Sequence, residues 1–448
     1  MKNETLMTSG TIWKKIVLFS IPLILGNLFQ QLYNTIDSII VGNVVGSTAL
    51  AAVGSSGSII NLLHGFCIGA SAGASIITSQ FYGARDAEGV KKSVHTTVAI
   101  SFWGGIILSV IGVVTTPYIL KLMDTPEEVF EQAQTYLRII FGGSVFVVVY
   151  NMTAAILNAV GNSKRSLVYL IISAVSNIIL DILFVMVFKM GVSGAALATI
   201  TSELISCIFV FLYMTKSTDL YKLTLKEIGF HGNLLSRIIG LGIPAGIQNI
   251  VISLSNVVVQ GSINSFGATA MAAYAAYNKI DGFIILPILS LGMAATTFSG
   301  QNLGAGEYER VRQGMKASVG VGIIYTVIAS VILLIFMPQV ISIFTQDEEV
   351  VKCGIYIMNY LYPFYWILAI FHIMTGAIRG VGKTMEAMLI SVVSLCAARI
   401  IWIVVAMSIE HRMDWIILSY PGSWLFGLIL MVLYVWKGKW LTNGEHRK

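Results

Sequence analysis

Charge is scarce in this sequence. Asp, Glu, Lys and Arg make up 11% of the 448 residues, against about 25% in an ordinary soluble chain. Long polar stretches are also missing. The longest, Thr215 to Arg237, is too short to fold alone, which excludes a separate soluble domain. The four cysteines, Cys67, Cys207, Cys353 and Cys396, lie far apart with no CxxC. They offer neither a disulfide framework nor a metal motif and read as small apolar fillers. The net charge of +6 is scattered over many loops and forms no basic patch, so nucleic acid is not an expected partner.

What is present is hydrophobic, 56% of the chain, and it comes in long blocks. About 20 apolar residues cross a bilayer as a helix, whereas a β-barrel alternates in segments of about ten. The reading is therefore an all-α integral membrane protein. Twelve transmembrane helices are expected, near 15–40, 50–77, 94–117, 134–158, 166–188, 192–214, 237–263, 271–298, 317–340, 354–378, 386–408 and 414–436. Lys14 and Lys15 before the first apolar run resemble a signal peptide. Asn27, Gln30 and Gln31 interrupt that run, and no small-residue cleavage site follows, so it reads as the first span.

Positive charge in short loops marks the cytoplasmic side. Lys14 and Lys15, Lys91 and Lys92, Lys164 and Arg165, the group from Lys216 to Arg237, Arg310 and Arg312, Arg379 and Lys383, and Lys437 all fall on one side. Both termini are expected in the cytoplasm, with the protein in the cell inner (plasma) membrane.

The chain repeats itself. FSIPLILGN from Phe19 resembles LGIPAGIQN from Leu241, pairing Pro22 with Pro244. GSTALAAV from Gly46 resembles GATAMAAY from Gly267. From Gly46 to Val90 the offset is a constant 221, with 12 identities in 45 positions. Six spans per half is an even number, so both halves share one orientation. That predicts two six-helix lobes related by a pseudo-two-fold axis along the membrane normal. The expected division is an amino-terminal lobe 1–214, a cytoplasmic linker 215–236 and a carboxy-terminal lobe 237–448.

The doubled IP-x-x-x-x-N entry to each half, the Gly- and Ala-rich loop after it, and the paired segments SQFYGARDAEGV from Ser79 and GQNLGAGEYERV from Gly300 resemble the multidrug and toxic compound extrusion (MATE) family. The resemblance covers nearly the whole chain. It implies a secondary active exporter of amphipathic, cationic organic compounds, driven by inward H⁺ or Na⁺. It implies no enzyme activity, no cofactor beyond the coupling ion, small-molecule substrates and membrane lipids as partners, and a monomer. One branch, of the DinF type, places an Asp in the first helix, an Asn and an Asp four apart in the fifth, and a Thr in the sixth. The matching residues are Asp37, Asn177, Asp181 and Thr199. The other bacterial branch carries acids in its seventh and tenth helices, and those helices have none here.

An intramembrane carboxylate costs about 2.5–3.5 kcal/mol on insertion scales and is functional by default. The repeat supplies an internal control. Asp181 pairs with Trp402, Asn177 with Ala398, Thr199 with Tyr420, and Asp37 with Val258 or Val259. The second half builds the same helices without these acids. Asn177 and Asp181, at i and i+4, share a helix face. With Asp37 and Thr199 they form an all-oxygen set suited to Na⁺, and two carboxylates held close together also favour sharing one proton. The alternative is a hydrogen-bond network that only joins helices.

Pro22 and Pro244 predict kinks in the first and seventh spans, with or without a moving role. Glu203 joins the cluster or lines the cavity. Lys279 and Asp281 pair with each other or serve the second lobe in substrate binding or coupling. AIRGVGKT from Ala377 fits a relaxed P-loop pattern, but it ends a span without a preceding strand and reads as a basic turn. The rival transport reading is a lipid-linked oligosaccharide or lipid flippase, which would call for a strongly cationic cavity or additional spans. An intramembrane aspartyl enzyme is a further rival.

Overall fold

The computed structural model describes residues 6–441, and among them there is no strand. The helices are α1 (Ile12–Val44), α2 (Ser47–Gly83), α3 (Ala87–Leu122), α4 (Glu127–Gly142), α5 (Ser144–Ala159), α6 (Ser163–Asp181), α7 (Gly191–Lys216), α8 (Gly232–Asn264), α9 (Ala268–Gly304), α10 (Tyr308–Ile335), α11 (Met337–Ser342), α12 (Glu348–Leu361), α13 (Tyr365–Gly380), α14 (Thr384–Val392), α15 (Arg399–Ile409) and α16 (Met413–Trp436). Eleven helical stretches are long and apolar enough to cross a bilayer, and the bent pair α4–α5 makes a twelfth.

Departures from straight helices have local causes. The fourth span bends by 46° where Gly142 meets Gly143, and the Ser109 hydroxyl reaches the Gly142 carbonyl at 3.4 Å. The tenth span contains a 3₁₀ turn, Tyr362–Phe364, because Pro363 has no N–H to donate. π-helical turns cover Ile182–Val187, directly after α6, and Val393–Ala398, between α14 and α15. The repeat is visible in the turns. Gly46 and Gly267 precede α2 and α9, and Gly161 and Gly382 precede α6 and α14, all four with positive φ. AIRGVGKT is a helix–turn–helix, not a strand followed by a loop.

The chain forms two compact units. Unit one is built mainly from Ile21–Gly246, and unit two from Met7–Ser20 with Ile247–Lys448. The boundaries fall inside α1, beside Pro22, and inside α8, just after Pro244. Apolar side chains cannot drive helices together in lipid, so close packing does it. In unit one α2 carries Gly69 and Gly73, and α8 carries Gly242 and Gly246. A Cβ on Gly73 would lie 2.2 Å from the Ile238 carbonyl, and one on Gly69 would lie 2.3 Å from Gly246 Cα. Unit two uses the same device between α9 and α13. A Cβ on Gly376 would meet the Gly292 carbonyl at 2.2 Å.

The stretch between α7 and α8 is folded onto unit one. Tyr221 and Leu223 are buried in its core. His95 Nδ1 donates to the Lys91 carbonyl at 2.6 Å, and its Nε2 accepts from the Thr224 amide at 3.0 Å. Thr96 and His231 pair at 2.9 Å. Lys91 donates to Glu227 at 2.8 Å and holds that carboxyl below its ordinary range, chiefly through this hydrogen bond.

Two outcomes are expected. Gly73→Leu lowers the melting temperature of detergent-purified protein, since overpacking of this kind costs about 1–3 kcal/mol. Gly104→Ala, whose methyl meets open space, leaves it unchanged. For the connecting stretch, the depressed Glu227 carboxyl contributes fully above its unfolded value of about 4.3. The contribution is lost as pH falls through the lower folded-state value. Hydrogen exchange over 217–231, corrected for intrinsic rates, should stay slow at neutral pH and quicken only on acidification below that range. Glu227→Gln should show the modest quickening at neutral pH.

Candidate functional site

Asp37 lies on α1 between two buried residues of its own face, Tyr33 and Val41. Asn177 and Asp181 occupy the last two turns of α6, 1% and 0% exposed. The i, i+4 spacing puts both on one face, and Asp181 directly precedes the first π turn. The Asp37 and Asp181 carboxyls come within hydrogen-bonding reach of each other. With both ionised neither has a proton to donate. Asp37 Oδ1, both Asp181 oxygens and both Asn177 side-chain atoms are then left without a protein partner. Val41, Tyr136, Val185 and Ala195 belong to one buried cluster of unit one.

Thr199 is half-buried on α7, and its hydroxyl donates to the Ala195 carbonyl at 3.1 Å. No hydrogen bond joins it to the aspartates or Asn177 among the described residues. Its oxygen lone pairs remain available. Glu203, one turn on, is buried with Oε2 unpartnered. Tyr33, Tyr150, Cys67 and Cys207 lie in its electrostatic reach. Tyr33 also senses Asp37, so it lies within electrostatic reach of both acids. Tyr136 senses both aspartates. Sequence reasoning passed over Tyr33 and Tyr136, because an aromatic at helical spacing is ordinary packing. Only their nearness to two acids distinguishes them.

Asp37, Asn177 and Asp181 supply unpartnered oxygens that fit a hard cation, which takes oxygen ligands. Among the described residues no group of three or more His, Cys, Asp or Glu is placed to hold a metal ion.

In unit two Lys279 and Asp281 do not pair. Lys279 is exposed and joins no ion pair among the described residues. Asp281 turns inward and accepts from the Tyr365 hydroxyl. Arg399 donates to Ser423 and Asn256.

The MatE family model matches this chain twice, over residues 22–183 and 244–405. The chain belongs to the MatE family. The two matches are of equal length and begin at Pro22 and Pro244, so the family's own unit is the half found by internal repetition. As a MATE protein the chain is a membrane transporter and not an enzyme. It is 30% identical over 447 residues to "Probable multidrug resistance protein YoeA" of Bacillus subtilis, covering 97% of this chain and 96% of the other. It is 25% identical to the multidrug export protein MepA of Staphylococcus aureus, with 88% and 87% covered. Among solved structures, an outward-facing multidrug resistance MATE transporter of the MOP superfamily superposes with a TM-score of 0.92 at 21% identity, covering 99% of both chains. MATE structures described as straight and bent conformations match at 0.88 and 0.89, with 21% and 22% identity and 97–98% of each chain covered. At these identities the likeness shows the MATE fold.

The unpartnered atoms separate a working site from structural glue. Two carboxylates held together repel, and a buried polar group without a hydrogen bond carries a desolvation cost, so removing one of them relieves both. Asp181→Leu should therefore leave unchanged or raise the melting temperature of the purified, unloaded protein. A fall of several degrees would mark Asp181 as a helix-joining group instead.

Proposed function

We propose that this MATE transporter is a secondary active multidrug exporter that couples inward H⁺ or Na⁺ to extrusion of amphipathic organic compounds. In this reading Asp37, Asn177, Asp181 and Thr199 receive the coupling ion. The observation that carries it is the Asp37–Asp181 pair, a half-buried and a buried carboxyl in mutual reach, with Asn177 one turn from Asp181 and no partner in the chain for Asp37 Oδ1 or either Asp181 oxygen. The names of the relatives, multidrug resistance and multidrug export proteins, support the cargo class. Glu203 is assigned to the same polar interior through Tyr33.

The energetics suffice. Each charge moving down the membrane potential releases about 2.3 kcal/mol per 100 mV, roughly a fifty-fold gradient of cargo. Ion binding at Asp37 acts on α1, which runs unbroken through Pro22, and a bend there would expel cargo from unit one. The reading places the protein in the inner membrane as a monomer with both termini in the cytoplasm. The flippase alternative called for a strongly cationic cavity or additional spans; the described residues provide at most twelve spans, and of the candidate cations Arg399 is engaged by Ser423 and Asn256.

The test is efflux of a fluorescent cationic dye from proteoliposomes, with pH and Na⁺ gradients imposed separately. Wild type should export under at least one gradient. Asp37→Asn and Asp181→Asn should insert normally and lose most gradient-driven export, by ten-fold or more. Undiminished export in both variants would remove the coupling assignment.

A further inference from the structure

We propose that Lys279 faces water within unit two and recognises an anionic substituent on the cargo, so that zwitterionic amphiphiles are preferred over pure cations. The proposal rests on the export reading above and names its substrate class.

The argument begins with depth. Lys279 is eleven residues from the Ala268 end of α9 and twenty-five from the Gly304 end. At 1.5 Å per residue these distances are about 16 Å and 37 Å. The stretch before it, ATAMAAYAAY, has no charge. α9 is longer than the hydrocarbon core of about 30 Å; centred in it, the helix places Lys279 about 10 Å from the midplane, where a lysine by default faces a partner, the bundle interior or water. Among the described residues Lys279 has no ion pair, hydrogen bond or aromatic partner, and it is exposed. With no partner in the chain, water is the partner that the proposal assigns to it. The same face carries Met271, Ala275 and Phe283, at i−8, i−4 and i+4, all exposed. Soft apolar groups around one charge suit an amphiphile.

The acid nearest in sequence is not free to neutralise it. Asp281 accepts from Tyr365, and Tyr365 and Tyr277 pair through their hydroxyls at 2.6 Å. The Tyr277 ring lies 5.7 Å from that of Tyr274, whose hydroxyl bonds to Tyr420. Over Tyr420, at 4.4 Å, sits the Arg399 guanidinium. It also donates to Ser423 at 3.0 and 3.2 Å and to Asn256 at 3.4 Å. One acid and one base thus occupy the two ends of a single tyrosine ladder. Arg379, at the far end of α13, is bonded to Gln248. Arg379 and Lys279 are thus both without an acid, and of the two Lys279 is the exposed one. At offset 221 its counterpart is Ser58, so the repeat does not require it. A pure cation would be repelled there, whereas a carboxylate gains a charge-assisted hydrogen bond.

The test uses two dyes that differ only in that group, a rhodamine with a free carboxylate and its methyl ester, in proteoliposomes of phosphatidylcholine alone. The measured quantity is the ratio of initial export rates, acid over ester. Lys279→Gln should lower the ratio at least five-fold while ester export persists, and Lys279→Arg should restore it. A second readout needs no transport. Lys279→Cys, in a chain whose four native cysteines are serine, should react with a charged, membrane-impermeant thiol reagent. An unchanged ratio in Lys279→Gln, or no labelling of Lys279→Cys, overturns the proposal and leaves the export reading standing. Equal loss of both dyes in Lys279→Gln also overturns it, since it marks a general defect. No export of either dye by wild type under any gradient removes the export reading along with it.

Discussion

A charge inside a bilayer has three ways to exist: beside an opposite charge, within a dense set of hydrogen bonds, or against water or a bound ion. The two units meet this constraint differently. Unit two wraps Asp281 and Arg399 in tyrosine hydroxyls, Ser423 and Asn256. Unit one gives Asp37 Oδ1, Asp181 and Asn177 no such cover, since these polar atoms have no hydrogen-bond partner in the chain. A folded protein retains that arrangement only if something outside the chain satisfies it part of the time. An ion or proton that comes and goes is such a thing.

The backbone obeys the same rule, since a carbonyl released from helical pairing in lipid must find another donor. Pro287 cannot donate to the Phe283 carbonyl, and the Tyr325 hydroxyl donates to it at 3.0 Å. In the second π turn the Leu395 carbonyl is taken by Ser255 at 3.2 Å. Each π turn also adjoins a buried charge. Asp181 directly precedes the first and Arg399 directly follows the second. The turns are not at matching places in the repeat, because 393 less 221 is 172, ten residues before 182. Each π turn goes with the charge of its own half and not with the shared scaffold, in keeping with the tendency of π-bulges to mark functional sites.

Hydrophobic block length made the spans legible, and duplication made the halves legible, because both follow from bilayer thickness and chain composition alone. The i, i+4 spacing of Asn177 and Asp181 showed a shared face. The contrast of Asp181 with Trp402 showed that the acid was not a folding requirement. Partnering was not legible. Lys279 and Asp281 sit two apart, which on a helix sends side chains to different faces, yet only the position of Tyr365 on α13 decides which of them is buried. The break between α4 and α5 was hidden as well, since Gly142 and Gly143 are compatible with a continuous helix. The tyrosines beside the acids carry no signal of their own in one sequence.

The asymmetry between the halves bears on mechanism. Duplication gives two copies of one helical scaffold, with the same turn glycines and close glycine crossings in each unit. If buried charge served only to hold helices together, both copies would need it in the same places, and they do not have it there. Unit one concentrates acids at the ends of α1 and α6, where an ion can change their net charge. Unit two holds an internally balanced pair, whose summed charge does not depend on any visitor, plus one exposed lysine. A transporter needs one element that changes state and one that stays constant while cargo is held. On the proposed coupling, the distribution of carboxylates gives the first role to unit one and the second to unit two.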